Sequence, residues 1–284
     1  MMGTSSSSSG SPSGTPMVPP WVPDPTPPSG DGPGDDGATP SDGGDVPDQT
    51  APAPAQPVPI APPARFRGAR TRLGSFARTG SADDMRKGVG HYAHKGLGGG
   101  GTAVRRLGGT ARTAGTLFGA LSAAAAGQAS GARNELDPAV LAGRSADEVM
   151  SAVVEAVRPV DGTQDGEASR AAIGKALSEL LTQYPDADLL NLSEEQRILA
   201  VERFIAWDVF NRFDLDLGKT IQEKAPSATS ALSRLKEVRD FITQTVAAEF
   251  RKLAGGAAAL GSSKVAAMVR DALGLAIGVF EGYL

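Results

Sequence analysis

Ser193-Glu-Glu-Gln-Arg-Ile-Leu-Ala-Val-Glu-Arg-Phe-Ile-Ala-Trp-Asp-Val-Phe-Asn-Arg-Phe213 reads as one long helix with its start signal attached. Ser193 and Gln196 form a capping box, in which the serine oxygen takes the backbone N–H of the third helical residue and the glutamine reaches back. Phe204, Ile205, Val209, Phe210 and Phe213 then recur at helical spacing, which predicts a helix over 194–213 with an aromatic core face. The same grammar repeats on either side. Ser145-Ala-Asp-Glu148 opens a helix over 146–158 that Pro159 stops, and a helix over 166–183 precedes Pro185. A further helix over 227–253 follows Pro226 and ends at Gly255-Gly256. The last covers 262–282, with Val265, Met268, Val269, Leu273, Ala276, Ile277 and Phe280 as its buried stripe. No segment sustains the period-two alternation of a strand, so the fold class is all-α, and residues 134–284 form a helical domain with enough helices for a real core.

Upstream the composition changes twice. Of the 21 prolines, 17 precede residue 64, and residues 1–64 carry seven Asp with no Lys or Arg. Such a segment cannot bury enough apolar surface to offset its ordering entropy, so 1–64 reads as a disordered, acidic Pro/Gly/Ser tail. Its part over 51–63 favours extended polyproline II. Met17-Val18-Pro19-Pro20-Trp21-Val22 is an aromatic island within it, either incidental or a short docking peptide centred on Trp21. Residues 65–133 hold 12 basic residues against Asp83 and Asp84, a basic Gly-rich hinge with two or three helices. Ser81 is an N-cap there, Gly98–Gly101 a break, and Thr102–Gly127 an Ala/Gly-rich helix too poor in bulky side chains to stand without a partner surface. The net charge of −4 therefore conceals an acidic, basic, acidic layout.

This inventory excludes several chemistries. Without cysteine there is no disulfide, thiolate catalysis or zinc finger. His91 and His94 sit three apart, but no further ligands complete a zinc shell. Gly98–Gly101 lacks the Walker spacing, and a calcium loop begun at Asp214 would place Lys219 and Ala225 where Gly and Glu are required. Asp214 and Asp216 instead shape the end of the preceding helix. The cluster Phe204, Trp207, Phe210 and Phe213 is core. No catalytic constellation, cofactor site or metal site emerges. No apolar stretch is long enough to span a bilayer, and the chain is expected to be soluble and cytoplasmic with no membrane contact. Arg65, Arg67, Arg70 and Arg72, with Arg105, Arg106 and Arg112 farther on, could neutralise phosphates, so a nucleic-acid-binding accessory module is one reading, and pairing with an acidic partner another. Gly3 becomes the first residue if translation starts at Met2 and that Met is removed. It then superficially fits a myristoylation signal, and is equally a reachable amine for any modifying enzyme.

Several short stretches taken together resemble the QatB family, companion proteins of the bacterial Qat anti-phage defence system. They are Met2-Gly3-Thr4-Ser5, Pro19-Pro20-Trp21, Phe66-Arg67-Gly68-Ala69-Arg70, Gly90-His91-Tyr92, Arg105-Arg106-Leu107-Gly108, Leu141-Ala142-Gly143-Arg144 and Asn211-Arg212-Phe213 with Asp216-Leu217-Gly218-Lys219. Met1 lies ahead of the start that this pattern implies. The resemblance implies a role in a defence operon beside an ATPase, a QueC-like enzyme and a TatD-like nuclease, and the absence of a catalytic constellation makes that role a non-enzymatic one. It further implies deazaguanine attachment to a glycine terminus, which maps onto Gly3.

Overall fold

The computed structural model describes residues 64–255 and 260–284, and the reading of 1–63 as a tail lies outside them. The described chain is helical throughout, with a single isolated bridge, Ser130 to Leu136, and no strand among the described residues. The first half contributes α1 (Arg67–Thr79), α2 (Ala82–His91), α3 (Gly100–Arg106) and α4 (Gly108–Ala125). The second contributes α5 (Pro138–Leu141), α6 (Ala146–Val157), α7 (Gln164–Gln183), α8 (Glu194–Phe213), α9 (Lys219–Lys224), α10 (Ala228–Ala254) and α11 (Ser262–Glu281). Two short π-helical turns complete the set, Tyr92–Gly96 after α2 and Asp214–Gly218 between α8 and α9.

Local chemistry sets the helix starts. Ser81, Thr163, Ser193 and Ser227 each accept the backbone N–H three residues on, and Ser145 and Ser193 complete their capping boxes with Glu148 and Gln196. The expected helix over Thr102–Gly127 is in fact two, α3 and α4, broken at Leu107. Gly108 and Gly109 follow the break, and glycine is, after proline, the residue least favoured in a helix interior. Gly98 and Gly99 have φ of 93° and 68°, which admits the sharp entry into α3.

The partner surface that α4 requires comes from within the chain. Leu107, Ala111, Ala114, Leu117 and Leu121 are buried, with α4 set against α8 and α11. Gly115 permits the close approach, since a Cβ there would meet the Ser262 carbonyl at 2.6 Å and the Ala266 methyl at 3.0 Å. α7 and α8 pair as neighbours, α10 lies across α8 and α11, and α1 packs on α2 and α9. The helices of 65–133 and of 134–284 thus share one continuous hydrophobic cluster, running from Ala69 and Leu73 through Phe204 and Phe213 to Phe280.

Candidate functional site

The two π turns, one closing α2 and the other joining α8 to α9, meet in space, and such turns are frequent at functional positions. Tyr92, from the first, donates its hydroxyl to Asp216 Oδ2 in the second at 3.0 Å. The ring of Tyr92 stacks on Phe66 at 5.9 Å between centroids and meets Phe213 edge-on at 5.3 Å. Gly96 leaves room for this stack, because a Cβ would lie 2.8 Å from the Phe66 ring. Burial, then the Asp216 charge, drives the Tyr92 phenol well above its ordinary value. Burial likewise raises the Asp216 carboxyl, opposed by the Tyr92 hydrogen bond.

Above this pair opens a recess of about 300 Å³, walled by Leu97, Leu107 and Leu215 and rimmed by Arg65, Arg106, Arg212 and Asp165. Arg106 is braced by the Gly96 carbonyl at 2.8 Å. Arg212 is held more firmly. Its Nε donates to Asp208 at 3.2 Å and a terminal nitrogen donates to Asp165 at 2.8 Å. Asp208 is fully buried and also accepts from Thr110 at 2.5 Å and from Ser169. Burial works against the Arg212 charge, but Asp208 and Asp165 outweigh it and hold the guanidinium above its usual value. The carboxylate thus ties α4, α7 and α8 together beneath the recess.

The arginines expected as one basic stripe fall on separate surfaces. Arg65, Arg67 and Arg72 line a groove with His91 and Lys95, and Arg72 pairs with Asp84 at 3.0 Å. Arg70 lies over the Phe66 ring at 5.8 Å. Arg105 is exposed and bonds Thr102, Arg106 and Arg65 reach the recess, and Arg112 lines a shallow depression beside α11. Gly3 and Trp21 lie outside the described residues. His94 sits 3.2 Å from Glu281 while His91 packs against Gly68, and no group of three or more His, Cys, Asp or Glu placed to hold a metal ion occurs among the described residues. Phe204, Phe210 and Phe213 are core. Trp207 is only partly buried, donating to Glu179 at 2.9 Å with the Lys175 ammonium 4.2 Å and the Arg239 guanidinium 5.5 Å from its ring centroid.

Sequence reasoning missed the polar core beneath the recess, although a signal existed. Asp208 occupies the inward stripe of α8 between Phe204 and Ile205 on one side and Val209 on the other, and Arg212 follows one turn later. A carboxylate on an apolar stripe with an arginine at i+4 is the mark of a buried pair. The stretches Gly90–Tyr92, Arg105–Gly108, Asn211–Phe213 and Asp216–Lys219, distant in the chain, meet around this recess. No helix among the described residues is long and apolar enough to cross a membrane. A family model described as Qat anti-phage system associated protein QatB matches residues 98–280. No curated protein and no solved structure matches.

Proposed function

The chain belongs to the QatB family of Qat anti-phage system associated proteins, and we propose that it serves that system as a non-enzymatic partner and as the substrate of an N-terminal modification. The modifying enzyme is QueC-like, the group attached is a deazaguanine, and the acceptor is the amine of Gly3, freed when translation starts at Met2 and that Met is removed. The ATPase and the TatD-like nuclease of the same operon are its other partners, docking on the helical body.

The family match carries this reading, and the fully buried carboxylate of Asp208, within the matched span, is already committed to its neighbours. Asp208 serves Thr110, Ser169 and Arg212, and Asp216 serves Tyr92, so they act as structural ties. Amine chemistry adds support. The first lysine of the chain is Lys87, so the α-amine is the sole amine ahead of it. An α-amine has a pKa of about 7.7–8.0 against about 10.4 for lysine, so it offers far more free base near neutrality. A deazaguanine-transferring enzyme needs no fold-specific recognition to select that group over side chains nearby.

Trypsin gives a direct test, because the first cleavable bond follows Arg65. The N-terminal peptide from protein made beside its operon neighbours is expected to carry the added mass, and the same peptide from protein made alone is not. An unmodified N-terminal peptide in the presence of all neighbours overturns the substrate role while leaving family membership intact.

A further inference from the structure

A groove of about 410 Å³ opens where residue 64 leads into α1, between the start of that helix, the end of α2 and the first π turn. Its lining carries Arg65, Arg67, Arg72 and Lys95 together with the His91 ring, and no carboxylate. Arg72 is paired with Asp84, and Arg65 lies 4.5 Å over the Phe66 ring. Arg67 and Lys95 are exposed and make no ion pair with an acidic side chain among the described residues. In a chain of net charge −4 this is a local positive field that overall composition does not produce. His91 registers that field: burial, then Arg72, Lys95 and His94, hold its imidazole below the ordinary value. Gly68 lets the ring lie flat against α1, where a Cβ would stand 3.1 Å from it, so the imidazole forms a wall of the groove.

We propose that this groove is a binding site for phosphate-bearing ligands, with Arg67 and Lys95 as the principal contacts. A phosphate carries up to two charges and three acceptor oxygens, which suits a guanidinium fork beside an ammonium better than a single carboxylate does. Arg105, Arg106 and Arg112 lie outside the groove and take no part. The inference stands independently of N-terminal modification, since it concerns groups at the other end of the first 64 residues.

Phosphate can come from nucleic acid or from a small phosphorylated ligand, and two probes separate these sources. Full-length protein is titrated with a labelled oligonucleotide of about 20 residues, single-stranded and duplex, by anisotropy at several salt concentrations, and with pyrophosphate by calorimetry. Binding of an oligonucleotide identifies nucleic acid as the source, and binding of pyrophosphate alone identifies a small ligand. In the first case the R67Q/K95Q variant is expected to lower the log–log salt slope by about 1.4–1.8, two contacts at about 0.7–0.9 each. In the second, affinity is expected to fall at least about tenfold. Both side chains are exposed, so the variant should melt like the parent.

An anion in the groove reverses the field on His91, from the Arg72 side on α1 and the Lys95 and His94 side on the π turn. For the oligonucleotide, whose phosphodiesters keep their charge in this range, affinity is therefore expected to rise as pH falls from about 7.5 to about 6, and H91Q is expected to remove that rise. Absence of binding by both probes at low salt, binding unaffected by R67Q/K95Q, or tighter binding of a poly-aspartate peptide than of either probe each overturns the proposal.

Discussion

Asp208→Ala probes the tie beneath the recess most directly. The aspartate is fully buried and the Arg212 side chain is 16% exposed, so truncation strands a nearly buried guanidinium. Removing one partner of such a pair costs about 3–5 kcal/mol, because the remaining charge lies uncompensated. Arg212 keeps Asp165, but that carboxylate is 62% exposed and screened, so it offsets little. The Thr110 and Ser169 hydroxyls also lose their acceptor, which places the expected loss near 4 kcal/mol. Arg212→Met alone is expected to cost about 3 kcal/mol, since two hydroxyl donors still serve Asp208. The double variant should be less destabilised than the sum by about 1–3 kcal/mol, as the two sites share one interaction. Urea unfolding followed by far-ultraviolet dichroism reads this out. With a slope of roughly 2–3 kcal/mol per molar, D208A lowers the midpoint by about 1.3–2 M. Strict additivity, or a loss below about 1 kcal/mol for D208A, would refute the coupled network.

Three further outcomes follow from particular contacts. Burial raises the Glu202 carboxyl above its ordinary 4.5 despite Arg251 at 3.5 Å, so the folded state binds a proton there more tightly than the unfolded state and loses stability as pH rises. E202Q is therefore expected to be more stable than wild type near neutrality by about 0.5–1 kcal/mol, the gain fading toward pH about 4, and thermal melts across that range would contradict this if E202Q melted lower at neutral pH. Gly115→Val drives a branched side chain against the Ser262 carbonyl and should cost about 2–3 kcal/mol in chemical denaturation, more than a neutral surface change by any margin of error. Ser193→Ala removes the acceptor for the Gln196 N–H and should cost about 1 kcal/mol, with hydrogen exchange accelerated in the first turn of α8 alone.

Much of the helical body was legible because its punctuation is chemical and local. The bounds of α8 follow from Ser193 with Gln196 at one end, and those of α6 from Ser145 with Glu148 and Pro159. The break at Leu107 went unread although Gly108-Gly109 mark it, because Leu107, Ala111 and Ala114 carry the helical spacing on through it. π turns have no residue signature comparable to a cap, so Asp214 and Asp216 looked like a helix end, while the chain carries on through the turn into α9. The recess brings together residues from Arg65 to Asp216, and its pairs span separations such as Thr110 to Asp208 that spacing alone does not encode. For the same reason the arginines looked like one stripe on paper: their neighbours in sequence face different surfaces once α1, α3 and α4 are oriented.

The seating of α4 on α11 has a consequence during synthesis. Its small-residue face is closed by a helix made more than 130 residues later in the chain. At a translation rate of about 5–20 residues per second, the leucines and alanines of α4 wait on the order of 10–30 s for that cover. Over that interval α8 can already cover one side of α4, while the side facing α11 stays open until that later helix has been made.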